Sequence, residues 1–296
     1  MLTRFTWHER GKRIVINRTA QPFLKWAGGK RQLLPEIRKY LPEDFEGTYF
    51  EPFIGAGAVL FELQPKRAII NDINSELVNT YLTIRDHIEE LIIDLKKHQN
   101  DSEYFYKLRD LDRTTDYQKL TTIERASRLI YLNKTCFNGL YRVNKKGQFN
   151  VPFGKYKNPN IINEDVIRAV HAYLSSNDVQ ILNGDFEKAV ITAKKGDFVY
   201  IDPPYDPVST TSSFTSYSLD GFGRAEQERL RDLFVELDKR GCHILLSNSA
   251  TDYIKDLYQD FHIEIVGATR SINSVASKRG KIDEVLVMNY VPKSRD

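Results

Sequence analysis

Short apolar runs alternate with stretches of helical periodicity along most of this chain. The runs at 49–53, 67–70, 179–182, 198–201 and 243–247 are rich in β-branched and aromatic residues and are bounded by turn-forming or polar residues. Such runs predict buried strands, and apolar residues at helical spacing predict helices after residue 30, near 163–174 and over 225–239. The alternation predicts an α/β fold with a mostly parallel, twisted sheet, and the last two runs, 261–266 and 282–290, predict an antiparallel pair at its edge.

The pattern changes between residues 76 and 160. Helical spacing runs from 77 to 95, shorter helical stretches follow at 104–111 and 123–132, and no strand-like alternation interrupts them before Gly139. We therefore predict an inserted, mainly helical domain over 75–161, between two parts of a catalytic domain over 1–74 and 162–296. The first twenty residues are predicted to be a basic, mobile arm.

Composition narrows the class of protein. The chain has 296 residues, of which 41% are hydrophobic and 28% charged, which is typical of a soluble globular protein. The formal charge of +3 is too small to indicate an anionic partner by itself. Cys136, Cys242 and the six scattered histidines have no metal-ligand spacing, so no metal site is predicted. No apolar run is long enough for a signal peptide or a membrane span, so we expect a cytoplasmic protein.

The sequence Asp202-Pro203-Pro204-Tyr205 follows the most apolar of the predicted strands. Prolines cannot donate to a sheet ladder, so the strand has to end there in a stiff, extended corner. Open α/β folds bind ligands at this carboxyl edge. A carboxylate, backbone carbonyls and an aromatic ring together suit an amino group on a flat base. The alternative is a strand end followed by an ordinary Pro-Pro turn.

Two glycine-containing segments precede this corner. Trp26 and Lys30 flank two glycines, which allow close backbone approach near a cation, although a helix-entry loop with a buried Trp explains them too. Gly55 and Gly57 follow a predicted strand, and we expect them to free backbone N–H groups, as in nucleotide-binding turns. Asp72 ends the next strand, where an acid can hold a ribose diol; the alternative is a helix N-cap.

The most unusual stretch is 134–157, which carries six lysines and arginines and no acid. Aromatic residues and asparagines are interleaved with the basic ones, and 143–149 predicts a small hairpin. Basic side chains match phosphates, aromatic rings stack on bases or wedge between them, and Arg can bind guanine. The segment predicts contact with nucleic acid; the alternative is a solvated basic loop with a few packed aromatics.

Five motifs occur here in the order found in Dam-type DNA adenine N6-methyltransferases. They are Lys25-Trp26-Ala27-Gly28-Gly29-Lys30, Phe50-Glu51-Pro52-Phe53-Ile54-Gly55-Ala56-Gly57, Asn71-Asp72-Ile73-Asn74, Gly184-Asp185-Phe186 and Asp202-Pro203-Pro204-Tyr205. The chain from about 21 to 290 resembles most the DpnII-type GATC modification methylases. One departure is the segment 271–276, which lacks a glycine that some relatives carry.

The resemblance implies a Rossmann-like methyltransferase fold, S-adenosylmethionine as cofactor, and double-stranded DNA with GATC sites as substrate. It implies a cofactor site that includes the following residues: Trp26, Lys30, Phe53, Gly55, Gly57, Asp72, Asp185, Phe186 and Asp202. Asp202, Pro203 and Tyr205 would hold the target adenine. The expected DNA contacts are Lys134, Phe137, Asn138, Leu140, Arg142, Asn144, Asn150, Pro152, Tyr156 and Lys157.

Within the DNA-contacting set, the resemblance implies that Arg142 contacts guanine and that Phe137 wedges into the duplex. The expected protein is a monomer, with any cognate restriction endonuclease acting separately. Two rival functions remain open on the sequence. One is a methyltransferase for RNA, protein glutamine or cytosine N4; the glutamine enzymes usually have Asn, and the cytosine enzymes usually Ser, in place of Asp202. The other is a non-catalytic DNA-binding protein on a methylase scaffold.

Overall fold

A single mixed sheet organises the fold in the computed structural model, which describes residues 8–9, 12–13, 19–42, 45–208, 222–269 and 281–292. A two-stranded ribbon near the N-terminus comes first, formed by β1 His8–Glu9 and β2 Lys12–Arg13. The strands of the main sheet are β3 Tyr49–Glu51, β4 Arg67–Asp72, β5 Asp178–Asn183, β6 Phe198–Ile201, β7 His243–Ser249, β8 His262–Thr269 and β9 Lys281–Met288.

The strand order in the sheet is β5-β4-β3-β6-β7-β9-β8. The first five strands are parallel, and β9 pairs antiparallel with both β7 and β8. The chain therefore builds outward from β3 on one side and then returns to its other side with β6. This reversal between β3 and β6 is a topological switch point, where open α/β sheets bind ligands beyond the carboxyl ends of their strands.

Helices cover both faces of the sheet. They are α1 Leu34–Tyr40, α2 Ala58–Leu63, α3 Ser75–Asp86, α4 Ile88–Leu95, α5 Ser102–Asp110, α6 Thr122–Thr135, α7 Glu164–Ser176, α8 Phe186–Ala189, α9 Arg224–Lys239 and α10 Asp252–Leu257. Alternate residues of a strand point to opposite faces, so Tyr49 enters one hydrophobic cluster and Phe50 the other. No helix in the described ranges combines the length and hydrophobicity of a membrane span.

Helices α3 to α6 lie between β4 and β5 in the chain, as the sequence predicts for the inserted region. Helix α6 begins with a capping box, in which Thr121 accepts from the backbone of Glu124 and the Glu124 side chain accepts from the backbone of Thr121. One hydrophobic cluster joins α3 and α6 to the sheet, through residues such as Tyr81 and Leu132. The inserted helices are thus packed on the sheet, and the boundaries at 75 and 161 remain a prediction.

The predicted strands and helices are present, with three differences. The predicted helical stretch 77–95 is divided into two helices. His87, whose φ of −138° and ψ of 45° are not helical, separates α3 from α4. The predicted N-terminal arm contains the paired strands β1 and β2. The predicted hairpin at 143–149 consists of one antiparallel bridge, between Val143 and Phe149. The segment 271–276 lies outside the described residues.

Candidate active site

Asp202 lies at the carboxyl end of β6, next to the switch point. Its Oδ1 accepts hydrogen bonds from Lys30 Nζ at 2.7 Å and from Ser247 Oγ at 2.9 Å. Ser247 belongs to the neighbouring strand β7 and in turn contacts the Tyr200 hydroxyl at 3.2 Å. Burial raises the pKa of Asp202, and the charge and hydrogen bond of Lys30 oppose that rise. No described residue bonds to the other oxygen, Oδ2.

Lys30 connects the glycine-containing segment to the Asp-Pro-Pro-Tyr corner. Its side chain is only 4% exposed, and its Nζ also donates to the Gly28 carbonyl at 2.6 Å. The same Nζ lies 4.5 Å from the centre of the Tyr205 ring, a cation–π distance. Lys30 thus forms one cluster with Asp202 and Tyr205, which follow it in the sequence by more than 170 positions.

Two further acids surround this cluster. The Tyr205 hydroxyl donates to Glu284 Oε2 of β9 at 2.7 Å. Glu51, at the end of β3, is buried and accepts from the Tyr49 hydroxyl at 2.7 Å. Burial raises the pKa of Glu51 well above its usual range, and the nearby charge of Asp202 raises it further. Three acids and the buried Lys30 therefore lie together at this end of the sheet.

The loop after β3 depends on glycine at two positions. Gly55 has φ +47° and Gly57 has φ +71°, a region that side chains disfavour. A Cβ on Gly57 would lie 2.8 Å from the Tyr81 hydroxyl, and one on Gly55 would lie 3.1 Å from the Trp26 ring. The prediction that these glycines free their N–H groups is wrong, because Gly55 N donates to Asp72 Oδ2 and Gly57 N donates to the Ile54 carbonyl. These glycines instead allow the loop to lie close to the side chains of Tyr81 and Trp26.

Asp72 faces this loop. Its Oδ2 accepts from Gly55 N at 3.1 Å and its Oδ1 from Asn74 N at 2.9 Å. The N-cap of α3 is Asn74, whose side chain accepts from Leu77 N at 3.0 Å, so the alternative role of Asp72 as the helix cap is filled by another residue. Burial raises the pKa of Asp72 to about 6, against the two backbone hydrogen bonds that lower it.

Aromatic rings flank the other side of the loop. Phe53 and Phe186 stack with their centroids 5.3 Å apart. Asp185 caps α8 by accepting from Glu187 N, and it pairs with Arg229 of α9. The Arg229 guanidinium also lies 4.3 Å from the Phe186 ring centre. Phe53, Asp185 and Phe186 therefore form a second cluster beside the glycine loop.

The basic segment 134–157 adjoins the glycine-containing segment 25–30 through Trp26, which stacks on Tyr141 with centroids 4.6 Å apart. The buried amide of Asn133 accepts from Lys25 N and donates to the carbonyls of Lys25 and Gly139, at 2.8 to 3.0 Å. These contacts fix the segment against the pocket. Sequence patterns missed Asn133, because a single polar residue inside a helical period carries no distinctive signal.

The expected DNA contacts differ in their surroundings. The exposed side chains are Phe137, Asn138, Arg142, Pro152, Tyr156 and Lys157. Leu140 and Lys134 are half-buried, and burial lowers the pKa of Lys134. Asn150 accepts from Arg142 Nε at 2.7 Å, and the Asn144 side chain is engaged in the hairpin turn, where its Oδ1 accepts from Lys146 N and Gln148 N.

The strand order, the glycine loop at the switch point and the acidic corner of β6 define a Rossmann-like methyltransferase fold. The family of D12 class N6 adenine-specific DNA methyltransferases matches residues 26–272, and the chain belongs to this family. It is therefore an adenine-specific DNA methyltransferase. Among the described residues no cluster of three or more potential metal ligands occurs.

Several curated proteins are similar over nearly their whole length. The type II methyltransferase M1.LlaDCHI of Lactococcus lactis subsp. cremoris is 51% identical over 91% of this chain and 95% of its own. The type II methyltransferase M.MjaIII of Methanocaldococcus jannaschii is 44% identical over 91% and 99%. The DNA adenine methylase of Serratia marcescens is 35% identical over 90% and 97%.

Proposed function

We propose that this protein transfers a methyl group from S-adenosylmethionine to N6 of adenine in double-stranded DNA at GATC sites. The family implies the use of S-adenosylmethionine and a DNA substrate. The proposal adds the recognition sequence, the roles of individual residues, action as a monomer in the cytoplasm without a metal ion, and independence from any cognate endonuclease. Both restriction-modification and Dam-like methylation are compatible with it.

One observation carries the catalytic part of the proposal. In the corner after β6, Asp202 Oδ1 is occupied by Lys30 and Ser247, and the Pro204 carbonyl accepts from Gln227 Nε2 at 2.8 Å. Two acceptors, Asp202 Oδ2 and the Pro203 carbonyl, have no partner among the described residues. An exocyclic amine has two N–H donors, and this pair of acceptors suits it.

The residues around the glycine loop fit the cofactor. The loop follows β3 at the switch point, and glycine at 55 and 57 lets it lie close to Trp26 and Tyr81. Asp72 offers a carboxylate for a ribose diol, and the stacked rings of Phe53 and Phe186 offer an apolar surface for the adenine. When bound, S-adenosylmethionine supplies an activated methyl group on its sulfonium.

The protein's own contribution is alignment and electrostatics. The adenine N6 lone pair is delocalised into the ring, so it is a poor nucleophile. Hydrogen bonds from its two N–H groups to Asp202 and the Pro203 carbonyl favour a pyramidal nitrogen and stabilise positive charge that develops on it. Holding the nitrogen in line with the methyl group lowers the activation barrier further, because the two reacting groups no longer have to find this geometry by chance.

The target base has to leave the duplex to reach this pocket, at a cost of a few kcal/mol. Tyr205 offers a ring for the extruded base, and its orientation is fixed by Glu284 on the hydroxyl and by Lys30 against the ring. The ring of Phe137 is exposed, which supports its proposed role as the wedge that enters the base stack. Arg142 and its neighbours are proposed to contact the GATC bases, and Lys157 a phosphate.

The test of the proposed function is methyl transfer to defined duplexes. Purified protein is incubated with S-adenosylmethionine carrying a labelled methyl group and with duplexes that contain GATC or a scrambled site. The expected product is N6-methyladenine in the GATC duplex alone. Label in cytosine would overturn adenine as the target base. Equal label in both duplexes would overturn GATC as the recognition sequence.

A further inference from the structure

Two buried amides hold the corner that follows β6. Gln227 of α9 is 1% exposed and Asn248 of β7 is fully buried. Gln227 Nε2 donates to the Pro204 carbonyl at 2.8 Å, and Asn248 Nδ2 donates to Gln227 Oε1 at 3.1 Å. Asn248 Oδ1 accepts from Asp206 N at 3.1 Å. The pair therefore spans the corner, from the Pro204 carbonyl to the Asp206 amide.

The side chains of Asp202 and Tyr205 have partners of their own, but among the described residues the backbone of the corner has few other anchors. Pro203 and Pro204 have no N–H groups, so the ladder hydrogen bonds that orient β6 cannot continue through them. Asp206 is held further along by Ser249 Oγ, which donates to its carbonyl at 2.7 Å, and by Thr251 Oγ1, which donates to its carboxylate at 2.8 Å. The amide pair is the connection that reaches back to the prolines.

We infer that Gln227 and Asn248 are positioning residues, which fix the rotation of the Asp202–Tyr205 corner so that the Pro203 carbonyl faces the reacting amine. This inference rests on the proposed function. By holding the Pro204 carbonyl toward α9, Gln227 determines which of two successive carbonyls remains available to the substrate. Neither amide has to touch the cofactor or the DNA for this role.

The chemistry of the pair suggests a sharp test. In a Gln227→Glu variant, a protonated Glu can still donate to the Pro204 carbonyl and accept from Asn248. Once ionised it loses the donor and places a carboxylate against that carbonyl. The variant should therefore be near wild-type at acidic pH and lose activity, relative to wild type, as the pH rises. Gln227→Ala should be slow at every pH.

The measurement is the single-turnover rate of methyl transfer to a GATC duplex between pH 5.5 and 8.5, with cofactor and duplex saturating. Misplacement of a reacting group by about 1 Å can cost roughly 100-fold, so a loss of about this size is expected for Gln227→Ala and for Gln227→Glu at high pH. The dissociation constants for S-adenosylmethionine and DNA should stay within about threefold of wild type.

Asn289 provides the matched control. It is an amide that also joins β7 to α9, since it accepts from Ile244 N and donates to Asp238 and the Cys242 carbonyl, at the opposite end of the sheet. Asn289→Ala should lower the melting temperature with an unchanged rate. A Gln227→Glu variant with the wild-type rate and pH profile would overturn the inference, as would a rate loss matched by Asn289→Ala at equal stability loss. Failure of the wild-type protein to form N6-methyladenine would instead overturn the proposed function.

Discussion

At the residue scale, the ion pair of Lys30 with Asp202, whose side chains are 4% and 18% exposed, links the stability of the fold to the proposed chemistry. Removing one partner of such a pair leaves an uncompensated buried charge, whereas replacing both is far less costly. Lys30 also lies against the Tyr205 ring, so the same lysine contacts two of the residues that we propose hold the target adenine.

The first prediction concerns this pair. Asp202→Ala should reduce single-turnover methyl transfer by at least about 100-fold, because it removes the acceptor for the target amine, while binding of S-adenosylmethionine survives. It should also lower the free energy of unfolding by about 3 kcal/mol, since Lys30 loses its partner. The double variant Lys30→Met, Asp202→Ala should recover most of that stability and none of the rate. A single variant with near-normal turnover would contradict the role of Asp202.

The second prediction concerns the pH dependence of cofactor binding. The pKa of Asp72 is raised from 3.8 to about 6 in the folded protein, so the protonated form is favoured there. This costs stability as the pH rises from about 4 to 6, because in that window the folded state binds more protons than the unfolded state. A carboxylate that accepts ribose O–H groups binds best when ionised, so cofactor affinity should weaken as the pH falls from 7 to 5.

Calorimetry of S-adenosylmethionine binding to wild type and to Asp72→Asn checks this expectation. The wild-type affinity should fall by up to about tenfold per pH unit below 6, and the variant should show weaker, pH-independent binding. Asp101→Asn, a change at the N-cap of α5, is the control and should behave as wild type. Wild-type affinity that is constant from pH 5 to 7 would remove Asp72 from the cofactor site.

At the scale of elements, the segment 134–157 combines fixed and exposed parts. Arg142 Nε is held by Asn150, while its terminal nitrogens have no hydrogen-bond partner among the described residues. This arrangement leaves the end of the guanidinium available for the bidentate contact with guanine that we propose, and such a contact discriminates by about 1–3 kcal/mol.

The third prediction follows from that contact. Arg142→Ala should reduce the preference for GATC over AATC duplexes by about tenfold or more, and Asn150→Ala should reduce it partly, because the guanidinium loses its orientation. Lys157→Ala is the control: a phosphate contact should weaken both duplexes together and flatten the salt dependence. Comparing transfer rates on the two duplexes decides the matter, and an unchanged ratio in Arg142→Ala would show that Arg142 does not contact the guanine.

Helix α9 contacts two parts of the proposed site. Gln227 donates to the Pro204 carbonyl in the Asp202–Tyr205 corner, and Arg229 pairs with Asp185 and lies against the Phe186 ring. The fourth prediction is that Arg229→Met weakens S-adenosylmethionine binding several-fold with little change in the saturated single-turnover rate. Arg231→Met, on the same helix and at an arginine that pairs with its neighbour Asp232, should leave both unchanged. A rate loss without an affinity loss in Arg229→Met would place its effect at the target corner instead.

At the scale of the whole molecule, local sequence patterns predicted the features that depend on interactions between residues close together in the chain. Strand positions, the helical insertion and the residues Lys30, Asp72 and Asp202 followed from periodicity, turn chemistry and motif order. Ser247 and Glu284 could not be found in this way, although each bonds to the predicted corner. Their contacts depend on the order β6-β7-β9, which brings together residues 45 and 79 positions apart.

Ser247, unlike Glu284, nonetheless stands in a polar run that could have drawn attention to it. Ser247, Asn248 and Ser249 end an apolar run at the same sheet edge as Asp202, and three buried polar side chains in a row at that edge indicate a site. The glycine loop is the converse case, since its N–H groups were expected to be free and are paired inside the protein. For Gly55 that outcome depends on the close approach of Asp72 from the neighbouring strand β4, and for Gly57 on a turn within the loop that brings its N–H to the Ile54 carbonyl.

The central claim is that Asp202 and the Pro203 carbonyl align an adenine amine for methyl transfer in GATC. The most direct test is single-turnover transfer of labelled methyl from S-adenosylmethionine to a duplex with one GATC site, for wild type and Asp202→Ala, followed by nucleoside analysis. We expect N6-methyladenine at the GATC adenine with wild type, and none with the variant although it still binds the cofactor at least in part. N6-methyladenine formed by the variant at a rate near that of wild type would contradict the account.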